Sequence, residues 1–129
     1  MATVTKYGFT ETAKLMTGVS ATAFASMALG TSSAADATTL SALVTEVTAS
    51  GLARASAVSV TVTQSATASD TCYFDHTWTA TGTYNIAECG VLNKSTGGSL
   101  LCYGTFSPAV PMSSEDTLRV TWSVQVTQP

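Results

Sequence analysis

The last stretch of the chain alternates in a way that few folds can use. Leu118, Val120, Trp122, Val124 and Val126 occupy every second position, and Thr117, Arg119, Thr121, Ser123 and Gln125 fill the gaps. Period two over ten residues is the pattern of a strand with one buried face and one wet face. Upstream, two further segments, TWTATGTYNIAECGVLN and SLLCYGTFSP, are joined by KSTGG and read as strands linked by tight turns. The stretch from Leu52 to Pro129 is therefore predicted to be sheet.

Taken in order, residues 1–9 are predicted to be an extended N-terminal arm carrying two aromatics, Tyr7 and Phe9. The arm either covers the core or reaches a neighbouring subunit. Residues 10–17 (TETAKLMT) read as a short helix with Thr10 as N-cap, Glu11 in its first turn and Gly18 past its end, and with Leu15 and Met16 inward. Residues 23–29 (AFASMAL) read as a strand closed by Gly30. A second helix is predicted over residues 38–50, where Leu40, Leu43, Val44 and Val47 make one apolar stripe. Asp36, Thr38 or Thr39 could cap it, and Gly51 stops it. β-branched Thr45, Val47 and Thr48 weaken it, so packing of the stripe must hold it.

The remaining strands are predicted over residues 54–64, 72–79, 84–93 and 100–106, with SATASD as the turn after the first. Cys72, Phe74, His76 and Trp78 share one face of the second, and Tyr73, Asp75, Thr77 and Thr79 the other. NKSTGG forms a hairpin, with Gly97 and Gly98 supplying positive φ. Pro108 and Pro111 are expected to end pairing there. Strands joined by short turns pair antiparallel, so the predicted fold is mainly β: an antiparallel β-sandwich with one or two short helices in the N-terminal half. Residues 10–129 form its single domain, with no internal repeat.

Composition agrees. The chain has 129 residues, of which 45% are apolar and only 10% charged, well below the usual quarter. About a third are Ser or Thr, a hydroxylated surface that suits strands and leaves little repulsion between copies. The net charge is −3, and Lys6, Lys14, Arg54, Lys94 and Arg119 are scattered. No basic stripe exists to neutralise phosphates, which argues against nucleic acid as a partner. No apolar run is long enough to span a membrane, and MATVTKYGFTET lacks the apolar core of a signal peptide. The expected site of synthesis is a cytoplasm.

Catalytic patterns are missing. His76 adjoins Asp75, but neighbours on a strand point to opposite faces and cannot form a dyad. Glu88, Glu115 and Asp116 show no paired-carboxylate spacing. Cys72 and His76 share a face about 13 Å apart, too far to share one zinc ion. Cys72, Cys89 and Cys102 read as small buried hydrophobes, although Cys89 and Cys102 could be cross-strand neighbours around the hairpin. His76 reads as a core histidine with a satisfied ring. No catalytic residue, metal site or cofactor is predicted. Trp78 and Trp122 are predicted core anchors, since large aromatics bury the most surface.

The order of pieces carries a resemblance. Ala28-Leu29-Gly30-Thr31, then Leu52-Ala53-Arg54-Ala55, then Cys89-Gly90-Val91-Leu92-Asn93 with Gly97-Gly98, then the run from Glu115 to Trp122 resemble, in that order, a group of small tailed-phage virion proteins. Leu92 stands where a Phe is more usual. The likeness spans roughly residues 24–126 and implies a structural protein of the virion. Head decoration (cement) is favoured over the tail, because the chain is short and lacks a repetitive shaft. The partners so implied are the major capsid protein and further copies of the chain itself; threefold lattice joints favour trimers, with dimers the alternative. Tyr7 and Phe9 are the expected contacts. The other readings are a tail, baseplate or fibre-adaptor protein, and a glycan-binding adhesion module, which would need an exposed aromatic in a polar groove.

Overall fold

The alternating segment lies where its pattern requires. In the computed structural model, which describes residues 2–34, 37–58 and 71–126 and the backbone of residues 59–63, it forms β8 (Thr117–Gln125). Val120 and Trp122 are buried, Leu118 and Val124 half-buried, and the residues between them exposed. Ahead of it come β1 (Ala2–Val4), α1 (Lys6–Thr17), β2 (Ser26–Gly30), β3 (Ala55–Ser56), β4 (Ser59–Thr63), β5 (Thr71–Thr79), β6 (Tyr84–Leu92) and β7 (Leu100–Met112). The expected turn at 65–70 and the cap Asp36 lie outside the described residues.

The strands form two antiparallel sheets, a five-stranded one in the order β1-β7-β6-β2-β3 and a three-stranded one in the order β4-β5-β8. The protein is a mainly β antiparallel sandwich. Its interior holds Phe74, Trp78, Val120 and Trp122 from the small sheet against Met27, Leu29, Ile86, Cys89, Val91, Leu101 and Cys102 from the large one. Trp78 is 2% exposed and its indole N–H donates to the Ala53 carbonyl at 2.9 Å; Trp122 is 9% exposed. Both tryptophans sit in the core, directly opposite Leu118 and Phe74 on the neighbouring strand. Truncating either to Ala costs about 3–5 kcal/mol by analogy with other buried aromatics.

A second, smaller cluster covers the outer face of the large sheet: Ala28, Leu92, Leu100 and Tyr103 from its strands, with Ala37 and Leu43 from the segment that follows β2. That segment, residues 38–50, is not the predicted helix. It runs in turns and touches the sheet through one antiparallel bridge, Gly30 to Glu46. Its apolar residues are divided between two places: Leu43 goes to the outer cluster, Val47 to the main interior, and Val44 stays 48% exposed. A helix would have sent all of them one way. The β-branched content noted above favours the extended wrap, and hydrogen bonds to Glu88 capture it.

Two other expectations change. Residues 1–9 are not an arm: Ala2–Val4 pair antiparallel with Cys102–Gly104 of β7, and the helix begins at Lys6 rather than Thr10. Thr5 is the N-cap, its hydroxyl accepting from the Gly8 amide at 3.0 Å. Tyr, Gly and Phe in the first turn are poor helix formers and masked this start. Glu11 therefore sits inside the helix, paired with Lys14 at 2.8 Å. β7 also runs through both prolines to Met112, opposite Tyr84, after a register shift between Ile86 and Glu88. Beyond Gly104 its other edge has no partner among the described residues, so a proline there sacrifices no ladder bond.

Candidate interaction surface

Helix α1 is attached at one end. Thr5 donates its amide to the Leu101 carbonyl at 2.9 Å and its hydroxyl to that of Leu100, while the Lys6 amide donates to the Thr38 carbonyl at 2.9 Å. Gly8 is the helix's buried residue. A Cβ there would meet the Leu101 carbonyl oxygen at 2.4 Å, so only glycine lets helix and β7 approach this closely. Leu15 lies two turns on, on the same face, yet is 43% exposed. The second half of the helix overhangs the sandwich. Thr10, Thr12 and Thr17 donate their hydroxyls to carbonyls four residues back, which satisfies the side chains within the helix itself.

The exposed side of the helix is apolar. Phe9 is 66% exposed, Met16 83% and Val19 57%, while Tyr7 is 37% exposed beside Lys6, whose ammonium lies 5.2 Å from its ring. Phe9 and Thr12, together with Val4, Leu101, Val124 and Val126, line a groove of about 440 Å³ between the helix and the end of β8. The two aromatics singled out from the sequence are thus exposed as proposed contacts require, but they stand on a helix rather than on a free arm. Leu15 and Met16, expected inside, belong to the same surface.

Glu88 and two of the motif residues, Gly30 and Arg54, do different work. Glu88 is fully buried in β6. Its carboxylate accepts from the Val44 amide (3.0 Å), the Thr45 amide (2.7 Å) and the Tyr103 hydroxyl (2.6 Å), and that hydroxyl in turn accepts from the Ala34 amide at 2.9 Å. The carboxyl lies across Gly30, where a Cβ would meet its Oε1 at 2.1 Å. Glycine in the Ala-Leu-Gly-Thr segment is thereby explained. Burial, and the hydrogen bond to Glu88, push the Tyr103 phenol well above its ordinary range. Arg54 binds Glu46 through two bonds of 2.8 and 2.6 Å and also donates to the Lys94 and Gly97 carbonyls, pinning the hairpin between β6 and β7. Sequence reading noted Glu88 only as an unpaired acid; its signal was a lone carboxylate in the apolar run NIAECGVL.

Cys72 and His76 share a face of β5 as expected, and no group of three His, Cys, Asp or Glu that could hold a metal occurs among the described residues. His76 packs edge-on against Trp78 at 4.6 Å, but its Nδ1 is buried without a partner among the described residues, contrary to the satisfied ring expected. The three cysteines are free thiols. Cys89 and Cys102 lie on paired strands two register steps apart, Cys89 opposite Gly104 and Cys102 opposite Val91. Burial pushes both thiols up to about 12, with the nearby Trp122 indole opposing the shift at Cys89. On the exposed face of the small sheet, Asp75 accepts two hydrogen bonds from Arg119 (3.0 and 2.7 Å), which hold its carboxyl below the usual carboxylate range.

Among the described residues no helix is long and apolar enough to cross a membrane. No family model, curated protein or solved structure matches the chain.

Proposed function

We propose that the protein is a structural component of a tailed-phage virion, a decoration protein that binds the outside of the assembled head. The observation that carries this reading is the half-docked helix α1, whose exposed Phe9, Leu15 and Met16 form an apolar surface that no element among the described residues covers. Apolar side chains in such a group are typical of surfaces that meet another protein. The motif order described above and the low surface charge point the same way. The occupant of the surface is the assembled lattice of major capsid subunits. A cement protein strengthens a shell by binding the lattice better than free subunits, and many copies add their small interfaces.

Copy number per purified virion, measured by mass spectrometry against the major capsid protein, tests the reading. Hundreds of copies support it. Six to a few tens would assign the chain to the tail or portal vertex instead, and none would remove it from the virion. Deleting residues 2–9 is a poor probe of the contact, since it removes β1 and the N-cap together. The double variant Phe9→Ser/Met16→Ser leaves the fold's own hydrogen bonds in place and is expected to lose binding to preformed shells.

A further inference from the structure

We propose that the outer edge of β8 pairs with β8 of a second copy, antiparallel about a twofold axis at Thr121, so that two three-stranded sheets become one of six strands. This inference is independent of the capsid reading and concerns the purified chain alone.

The edge is open and the direction of its hydrogen-bonding groups is fixed by its neighbours. Among the described residues β8 pairs only with β5. The Asp75 carbonyl points toward β4, where it accepts from the Val58 amide at 2.7 Å. Ala80, of the other parity, donates its amide to the Asp116 carbonyl at 2.8 Å, toward the β8 side. Successive residues of a strand alternate in this respect, so the even-numbered residues of β5 bond to β8. On β8, Val120 and Trp122 face those residues in register, whereas Thr121 lies opposite Asp75. Arg119, Thr121 and Ser123 therefore turn their N–H and C=O groups away from the sheet.

The edges of the large sheet are guarded and this one is not. β1 and β3 are three and two residues long, and the open part of β7 carries Pro108 and Pro111. Short strands and edge prolines are the usual defences against pairing with another chain. β8 has nine residues, no proline and one charged side chain, Arg119, which is drawn onto Asp75 of its own sheet.

The strand is also its own complement, which selects a second copy as the occupant. With Thr121 opposite Thr121, Arg119 falls opposite Ser123 and Val120 beside Trp122 of the partner copy. No like charges meet, and the apolar face continues across the join. Thr121 is the middle residue of Thr117–Gln125, so this register overlaps the whole strand. A twofold, isologous contact of this kind closes on itself and does not propagate.

Sedimentation equilibrium of the purified chain is expected to show a dimer at about 0.1 mM. Ser123→Pro removes an outward N–H without touching the β5 ladder and should weaken the dimer more than about tenfold. Ser123→Asp sets a carboxylate opposite the partner's guanidinium and should tighten it, whereas Ser123→Lys should loosen it, the two differing by about tenfold. Circular dichroism checks that each variant folds, and the Asp/Lys pair keeps the test intact if the proline variant does not. A wild-type monomer or trimer overturns the proposal, as does a dimer that responds alike to Asp and Lys. Since no shells are used, its failure leaves the capsid reading standing, and loss of shell binding leaves it standing.

Discussion

Residues 31–50 and helix α1 both pack against the large sheet, and they are held in opposite ways. Among its described residues, 31–34 and 37–50, the first has no regular secondary structure beyond one bridge, yet it is tied down: Thr31 to the Thr45 carbonyl, Val44 and Thr45 to Glu88, Val47 to the Leu29 carbonyl, with Leu43 and Val47 buried. The second is a regular helix whose hydrogen bonds are nearly all its own, and the bonds that tie its backbone to the rest of the described chain leave from Thr5 and Lys6 at its start. Regular backbone is thus no measure of attachment. A loop with few internal bonds must find partners in the body of the protein, while a helix satisfies itself and leaves its side chains for something else.

The sharpest way to break this contrast is to remove the carboxylate. Glu88→Ala leaves two amides and a hydroxyl buried without their acceptor and is expected to cost about 4 kcal/mol, read from urea unfolding. Glu88→Gln keeps the shape and should cost about half as much. A loss below about 1 kcal/mol for the alanine variant would mean that the loop does not depend on Glu88.

Matched glycine substitutions compare the two segments directly. Gly30→Ala drives a methyl into the Glu88 carboxyl, and Gly8→Ala drives one into the Leu101 carbonyl. Both over-pack, at about 1–3 kcal/mol each. Gly30→Ala should be the worse, because the Glu88 carboxyl is held by three donors and cannot move aside without breaking them, whereas an overhanging helix can tilt. Equal losses in thermal or urea unfolding would show the helix to be as firmly seated as the loop.

Alkaline pH is expected to loosen the tied region and the core beside it. The Cys89 and Cys102 thiols keep their protons to about 12 in the folded protein, and Tyr103 is also raised, whereas in the unfolded chain all three ionise nearer their ordinary values. The folded state then holds more protons, so stability is full below about pH 8.5 and falls as pH rises from there toward 12. Tyr103→Phe should make that fall shallower in urea titrations between pH 8 and 11. An unchanged slope would remove Tyr103 from the account.

The smallest effect on folding belongs to the overhang. Phe9→Ser/Met16→Ser should change stability by less than about 0.5 kcal/mol while abolishing attachment to shells in a co-sedimentation assay. A loss of several kcal/mol would mean that the two side chains serve the fold after all.

What was legible in the sequence was whatever repeats locally. The period-two pattern of β8 and β5, the Gly97-Gly98 hairpin and the antiparallel sandwich all follow from alternation and turn chemistry, which act over a few residues. Apolar spacing alone misled at residues 38–50, because Leu43 and Val47 serve two different clusters on opposite sides of one sheet. It misled again at residues 1–9, where pairing of Ala2–Val4 with a strand about a hundred positions away fixes the N-cap. Glu88 shows why. Its three donors come from Val44, Thr45 and Tyr103, which meet only after the sheet has formed. Short-range sequence determines which residues can be strand or turn; which buried group satisfies which distant donor is decided by the folded sheet, since a hydrogen bond depends on distance in space and not along the chain.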